Sequence, residues 1–119
     1  MSVAVQRVKY SQAASTTVAN ILSGLNLQYL GRPSKITLWA AAYLAAASDQ
    51  FSLSYALGAD FITLVPAGSP LNVNSAGPQQ LNDLIGTYAI PGGANMTLAL
   101  TSDATVGTHT GVFAFQIES

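Results

Sequence analysis

Short segments in which apolar and polar residues alternate recur along the chain, and they predict β-strands. The clearest runs from Phe51 to Leu57, and a second covers Met96 to Thr101. A period of two is expected of a strand with one buried face. Further strands are predicted at residues 3–10, 27–30, 36–47, 61–65, 71–73, 84–90 and 112–117. With turn signals between them, these segments predict an all-β fold, a single jelly-roll β-sandwich of about eight strands.

Two local features qualify this all-β pattern. Val18, Ile21, Leu22 and Leu25 recur at helical spacing, which predicts one short N-terminal helix over Ser15 to Ser23 that ends before Gly24. The apolar phase also shifts between Val5 and Val8, which predicts a bulge or kink in the first strand.

The composition indicates a β-sandwich that packs against neighbouring copies or partners. The 119 residues form one domain, 1–119, which is long enough for a sheet-on-sheet core. Only 8% of residues are charged while 50% are hydrophobic, against about 25% charged in an average soluble protein. A surface served by so few charges suits a protein whose faces are covered by neighbouring copies or partners. The competing interpretation is a neutral secreted or surface domain.

Charge and hydropathy also exclude classes of partner. The net charge is −1 with four Lys and Arg residues, too few to neutralise much phosphate backbone, so we expect no specific nucleic-acid binding. The longest apolar run, Ile36 to Ala47, is shorter than the roughly 20 residues that span a bilayer, so we expect no transmembrane segment.

The chain offers little catalytic chemistry. It has no cysteine, and its one histidine, His109, is predicted to lie in an exposed polar loop without a nucleophile or an orienting acid. Asp49, Asp60 and Asp103 fall in predicted turns, where two of them could converge on Ca²⁺ at one end of the sandwich. We therefore predict no enzymatic activity, no catalytic residues, no cofactor and no bound metal.

The residues predicted to make contacts with neighbouring copies or partners are large apolar or aromatic side chains. Two polar loops, at residues 66–82 and 102–111, are candidates for a binding role. The interface candidates are Trp39, Tyr43, Phe61, Leu64, Leu71, Val73 and Tyr88.

The second half of the chain resembles the small single jelly-roll structural proteins of icosahedral viruses and bacteriophages. The similarity lies in Gly86 to Thr101, which has a strand, a Pro-Gly turn and a second strand, and in Val112 to Glu118, which resembles the closing strand. The low charge and the lack of cysteine are also similar. No diagnostic motif accompanies this resemblance.

The resemblance implies a virion structural protein: a homo-oligomeric capsid, vertex or capsid-decorating subunit that associates with copies of itself and with other capsid proteins. The alternative is a carbohydrate- or receptor-binding β-sandwich module that uses the two polar loops. Many genome-enclosing coat proteins carry a basic N-terminal arm, whereas this chain has only Arg7 and Lys9 there. Direct genome binding is therefore not implied.

Overall fold

The structure is a computed structural model that describes residues 3–43, 49–57, 60–74 and 83–119. Residues 44–47 of the predicted Ala-rich strand and residues 75–82 of the first predicted loop lie outside these ranges. The described chain is all-β, and its nine strands form two antiparallel sheets packed as a sandwich. The strands are β1 (Val3–Ala13), β2 (Thr17–Val18), β3 (Tyr29–Leu30), β4 (Ser34–Ala42), β5 (Gln50–Leu57), β6 (Asp60–Pro70), β7 (Leu84–Ile90), β8 (Ala94–Thr101) and β9 (Thr108–Glu118).

Strand pairing is nested along the chain. β5 pairs with β6, β4 with β7, β2 and β3 with β8, and β1 with β9. The first sheet has the order β1-β9-β4-β7 and the second the order β2-β8-β5-β6, with β3 also on β8. The chain is thus one long hairpin, with β5–β6 at its tip, that has been rolled into two layers.

The core lies between the inner faces of the sheets and follows the period-two pattern. Phe51, Leu53 and Tyr55 of β5 are buried, as are the alternate residues of β8. Phe113 of β9 contacts both layers, with its ring centroid 5.9 Å from that of Tyr10 and 5.4 Å from that of Phe51. The two cleanest alternating segments in the sequence are therefore confirmed as core strands of one sheet.

The predicted helix over Ser15 to Ser23 is wrong. Val18 pairs with Leu100 as part of β2, and the only helical turn among the described residues is a 3-10 turn at Asn26–Gln28. The Asn20 side chain explains the failure, since its Oδ1 accepts hydrogen bonds from the amides of Leu22 and Leu98. A side chain that satisfies backbone donors competes with helix formation.

Four strand predictions also need correction. Of the strand predicted at 27–30, Leu27 and Gln28 belong to the 3-10 turn and only Tyr29–Leu30 is extended, and residues 71–73 form no strand beyond an isolated bridge from Val73 to Ala42. β1 pairs with β9 without a register shift from Val3 to Ala13, so the predicted bulge is absent, and Val3 and Val5 instead face solvent. β6 continues beyond Val65 to Pro70, where irregular structure had been predicted. Register shifts in the β5–β6 pair absorb the extra residues, and Gly68 supplies a φ of +84°.

No helix in the described part of the chain is long and apolar enough to cross a membrane.

Candidate functional site

The interface residues predicted from sequence occupy different environments and do not form one patch. Phe61 and Val73 are exposed, by 71% and 41%, whereas Leu71 is buried in the core. The other four candidates are half-buried: Trp39, Tyr43, Leu64 and Tyr88. Leu64 and Tyr88 pack against the core. Burial raises the pKa of the Tyr88 hydroxyl.

The outward face of the second sheet is continuous and carries no charged side chain among its described residues. Alternation fixes this face: Met96, Leu98 and Leu100 point into the core, so the residues between them point outward. We call this surface the uncharged face. It comprises Thr17, Tyr29, Gln50, Ser52, Ser54, Ala56, Phe61, Thr63, Asn95, Thr97, Ala99 and Thr101.

One cross-strand row of the uncharged face ends in an aromatic residue on each side. Tyr29 lies opposite Asn95, and Phe61 lies opposite Ala56. Because Tyr55 pairs with Met96, Ala56 and Asn95 are neighbours in the same row. Tyr29 and Phe61 are therefore three strand spacings apart, about 14 Å, and they are exposed by 54% and 71%.

The outward face of the first sheet has the opposite character. Arg7 and Lys9 of β1 point away from the core there, because Val8 and Tyr10 point into it. On the same face, Lys35 of β4 lies opposite Glu118 of β9. Charge is therefore segregated, with four of the nine charged residues on one face and none among the described side chains of the other.

A buried polar cluster lies at the end of the sandwich where β1 ends and β9 begins. We call Tyr10, Asp49, Asp103, Thr105 and His109 the histidine cluster. His109 Nδ1 lies 2.7 Å from Asp49 Oδ1, and its Nε2 lies 2.7 Å from the Thr105 carbonyl oxygen. The Tyr10 hydroxyl donates to Asp49 Oδ2 at 2.7 Å, and the Asp103 amide donates to Asp49 Oδ1 at 3.2 Å. The cluster thus joins β1, the segment before β5, and the β8–β9 loop.

The electrostatics of the cluster favour a charged histidine. Each ring nitrogen faces an oxygen atom, one of the Asp49 carboxyl group and one of the Thr105 carbonyl, and this geometry favours the doubly protonated imidazolium. The Thr105 carbonyl, and then Asp49, raise the pKa of His109 against the opposing effect of its burial. Burial and the bond to Asp49 raise the pKa of Tyr10 in the same cluster. Asp49 and His109 are both fully buried, so their opposite charges compensate each other.

The histidine cluster is structural, because its hydrogen bonds hold separate segments of the chain together. Single ligand atoms of Asp49, Asp103 and His109 lie within 4.8 Å of one another, which is close enough to hold a cation. Both ring nitrogens already lie within hydrogen-bond distance of Asp49 and the Thr105 carbonyl, and Nε2 is also 3.5 Å from Asp103 Oδ1, so a cation could bind His109 only by displacing a ring proton. The predicted convergence of two turn aspartates is thus seen for Asp49 and Asp103, with His109 between them, whereas Asp60 begins β6 at the other end.

The prediction of an exposed loop histidine is wrong, since His109 is the second residue of β9 and is fully buried. Sequence reasoning sought its acid nearby, but Asp49 lies 60 residues away. The uncharged face was also missed, although a signal for it was present. The outward positions of β5 and β8 could be read directly from their alternation, and none of them is charged.

Comparisons with known proteins support the fold. No protein-family model matches the chain, and no curated protein matches it in sequence. Among solved structures, the Yersinia pseudotuberculosis-derived mitogen is 8% identical, aligns over 96% of this chain and 84% of its own, and has a TM-score of 0.51. The VP2 subviral particle protein of infectious bursal disease virus is 11% identical, with coverage of 97% and 32% and a TM-score of 0.49.

A third structure, the CBM22-1–GH10 part of a Clostridium thermocellum xylanase, is 14% identical, aligns over 97% of this chain and 26% of its own, and has a TM-score of 0.41. Of these three proteins, the mitogen alone exceeds a TM-score of 0.5. The similarity to the mitogen, at 8% identity, is one of fold alone.

Proposed function

We propose that this chain is a virion structural protein, a self-associating capsid, vertex or capsid-decorating subunit whose sandwich is a jelly roll. The nested pairing supports the jelly-roll assignment, because a long hairpin rolled into two sheets produces that architecture. β2 and β3 both pair with β8 and so share one position in the nested order, although the described strands number nine and not the predicted eight or so.

The observation that carries the proposal is the position of the exposed apolar side chains. Each sheet edge among the described strands has at least one: Val3 and Val5 on β1, Leu84 on β7, Val18 on β2 and Ile62 on β6. An exposed hydrophobic edge strand is a template for pairing with another chain. A subunit of a closed shell needs neighbours on more than one side, and edges of this kind supply such contacts in several directions.

The charge distribution supports the same proposal. Lys35 and Glu118, which lie opposite each other on the first sheet, give that face both signs of charge. Few charges elsewhere mean weak repulsion between copies. The accessible surface of 6243 Å² is close to the roughly 6,100 Å² expected for a compact monomer of 12.3 kDa. A single copy is therefore already compact, and its apolar edges are exposed although the chain is folded.

Native mass spectrometry combined with negative-stain imaging tests the proposal. We expect closed rings or shells that form as the protein concentration rises. Val5→Lys and Leu84→Lys place a charge on the two edges of the first sheet and should shift the population toward monomers. The matched control is Val106→Lys, since Val106 is 95% exposed but lies in the loop between β8 and β9 and not on a strand.

A strict monomer at the highest soluble concentration would contradict the proposal. So would edge variants that assemble as well as the Val106→Lys control. Location in a virion and association with other capsid proteins form part of the proposal, as does the absence of enzymatic activity.

The second candidate function is a carbohydrate- or receptor-binding module. The loops first predicted to bind are partly committed to the fold: Asn72 and Asn74 donate to the buried Asp83 carboxylate, and Asp103 belongs to the histidine cluster. The uncharged face is a better candidate surface, because Tyr29 and Phe61 present their rings to solvent on a rigid sheet.

A further inference from the structure

Three properties of the uncharged face restrict what it can bind. Its hydrogen-bonding groups are hydroxyls and amides, contributed by Ser, Thr, Asn and Gln, and they are neutral at any physiological pH. No described side chain on it could form an ion pair with a phosphate or carboxylate, although the first sheet carries three exposed cations. A ligand that depended on charge would find its partners on the other side of the molecule.

A protein partner also fits this face poorly. Interface cores are enriched in aromatic residues, Met and Arg, and they are depleted in Ser and Ala. Ser52, Ser54, Ala56 and Ala99 occupy the centre of the uncharged face, and its two large side chains are at its edges. The face spans four strands by about eight residues, roughly 500 Å², which would bury only about 1,000 Å² between two copies, near the lower limit for a specific interface.

A neutral sugar chain matches the arrangement better. An aromatic ring offers a flat apolar surface to the C–H face of a sugar, and neighbouring hydroxyls and amides can bond to its hydroxyl groups. Tyr29 and Phe61 stand at the two ends of one row, with Asn95 and Ala56 between them and Thr97, Ser54 and Thr63 in the adjacent row. The row is held by backbone pairing, so these groups are ordered before a ligand arrives, which reduces the entropic cost of binding.

We propose that the uncharged face binds a neutral oligosaccharide or polysaccharide that lies across the strands from Tyr29 to Phe61. This function does not require assembly and goes beyond the proposed shell role. In a shell subunit, it would make the second sheet a glycan-recognition surface while the edges hold the neighbours.

Isothermal titration calorimetry of the full chain with hexasaccharides of glucose, xylose and mannose tests the inference, with a hexasaccharide of uronic acid as the charged comparison. At least one neutral hexasaccharide should bind, and it should bind more tightly than the charged one. Tyr29→Ala and Phe61→Ala should each raise its Kd by about tenfold, the effect of losing one aromatic contact. Val106→Ala changes an exposed side chain off the face and should leave the Kd unchanged.

Amide chemical-shift mapping by NMR identifies the binding surface, and because both aromatic side chains are exposed, their variants should keep the wild-type spectrum elsewhere. The inference is overturned if no neutral hexasaccharide binds, if the charged one binds better, or if shifts appear at the β8–β9 loop and not on the uncharged face. It is also overturned if the face shifts with protein concentration alone, which would show that a second copy covers it. Assembly measured on Val5→Lys is a separate result, so either proposal can fail without the other.

Discussion

Replacing His109 by phenylalanine should destabilise the fold more than any substitution of an exposed residue. Phenylalanine keeps a ring of similar size but donates no hydrogen bond, so Asp49 would lose its imidazolium partner while remaining fully buried. The Thr105 carbonyl would lose its donor as well. The change therefore isolates the charge and the two hydrogen bonds from the packing of the ring.

The magnitude follows from those contacts. Two hydrogen bonds to charged groups contribute about 1.5–3 kcal/mol each, and breaking a buried ion pair from one side costs about 3–5 kcal/mol. A domain of this length has a total stability of roughly 6–18 kcal/mol. We expect His109→Phe to lower the free energy of unfolding by about 3–5 kcal/mol, which corresponds to a fall in Tm of roughly 12–20 °C.

The raised pKa of His109 also predicts the direction in which stability changes with pH. The pKa of His109 is raised in the folded state above its unfolded value near 6.5, so the stabilisation is complete below about pH 6.5. It is lost as pH rises through the folded-state pKa, because the unfolded chain then binds fewer protons than the folded chain. Stability should fall by up to about 1.4 kcal/mol per pH unit in that window, and His109→Phe should lack this slope.

Urea denaturation followed by circular dichroism, at several pH values between about 6 and 9, measures both effects. A double-variant cycle with Asp49→Asn identifies the cause. If the stranded carboxylate carries the cost, the double variant should be more stable than the sum of the single losses by about 1–3 kcal/mol. A loss below about 0.5 kcal/mol for His109→Phe, or strict additivity in the cycle, would refute the reasoning. Val106→Ser, a loop change at the same end, is the neutral control.

Three further substitutions test the packing of the sandwich by the same denaturation assay. Tyr55→Phe should be neutral or stabilising by about 1 kcal/mol, because the Tyr55 hydroxyl is buried without a hydrogen-bond partner among the described residues; a loss above that size would reveal a hidden partner. Asn20→Ala should cost about 1–3 kcal/mol, since two backbone amides lose their acceptor, and an unchanged midpoint would show that these bonds are dispensable. Gly92→Ala should lower the free energy of unfolding by about 1–3 kcal/mol, because Gly92 has a φ of +83° and a Cβ there would lie 2.5 Å from the Arg32 carbonyl carbon. Wild-type stability of this variant would show that the turn can shift freely.

Much of the fold can be predicted from the sequence because burial imposes a period of two on each strand. Phe51 to Leu57 and Met96 to Thr101 show that period, and both are core strands. The segment after Ser15 was misjudged because Leu22 and Leu27 are buried by capping the core, which requires apolar residues but no regular element. Helical spacing among four such residues is a weak signal when a side chain such as Asn20 satisfies the backbone instead.

The candidate sites were less accessible from sequence because they are built by non-local pairing. Nothing near His109 in the chain indicates Asp49, and their contact depends on the start of β9 in one sheet and the start of β5 in the other being placed correctly at once. The row from Tyr29 to Phe61 similarly requires the order of four strands. Composition could show that charges are few, but the segregation of those charges between two faces is a property of the folded sheets.

The nested pairing has a consequence for how the molecule folds and comes apart. The β5–β6 hairpin closes a short loop, and each later pair closes around the previous one, so the entropy lost per step stays small even though Val3 finally meets Glu118. β1 forms last in this order and pairs with β9 alone among the described strands. It can therefore detach without breaking another ladder. Amide exchange should begin along β1, and the vacated edge of β9 would accept the same strand from a neighbouring copy.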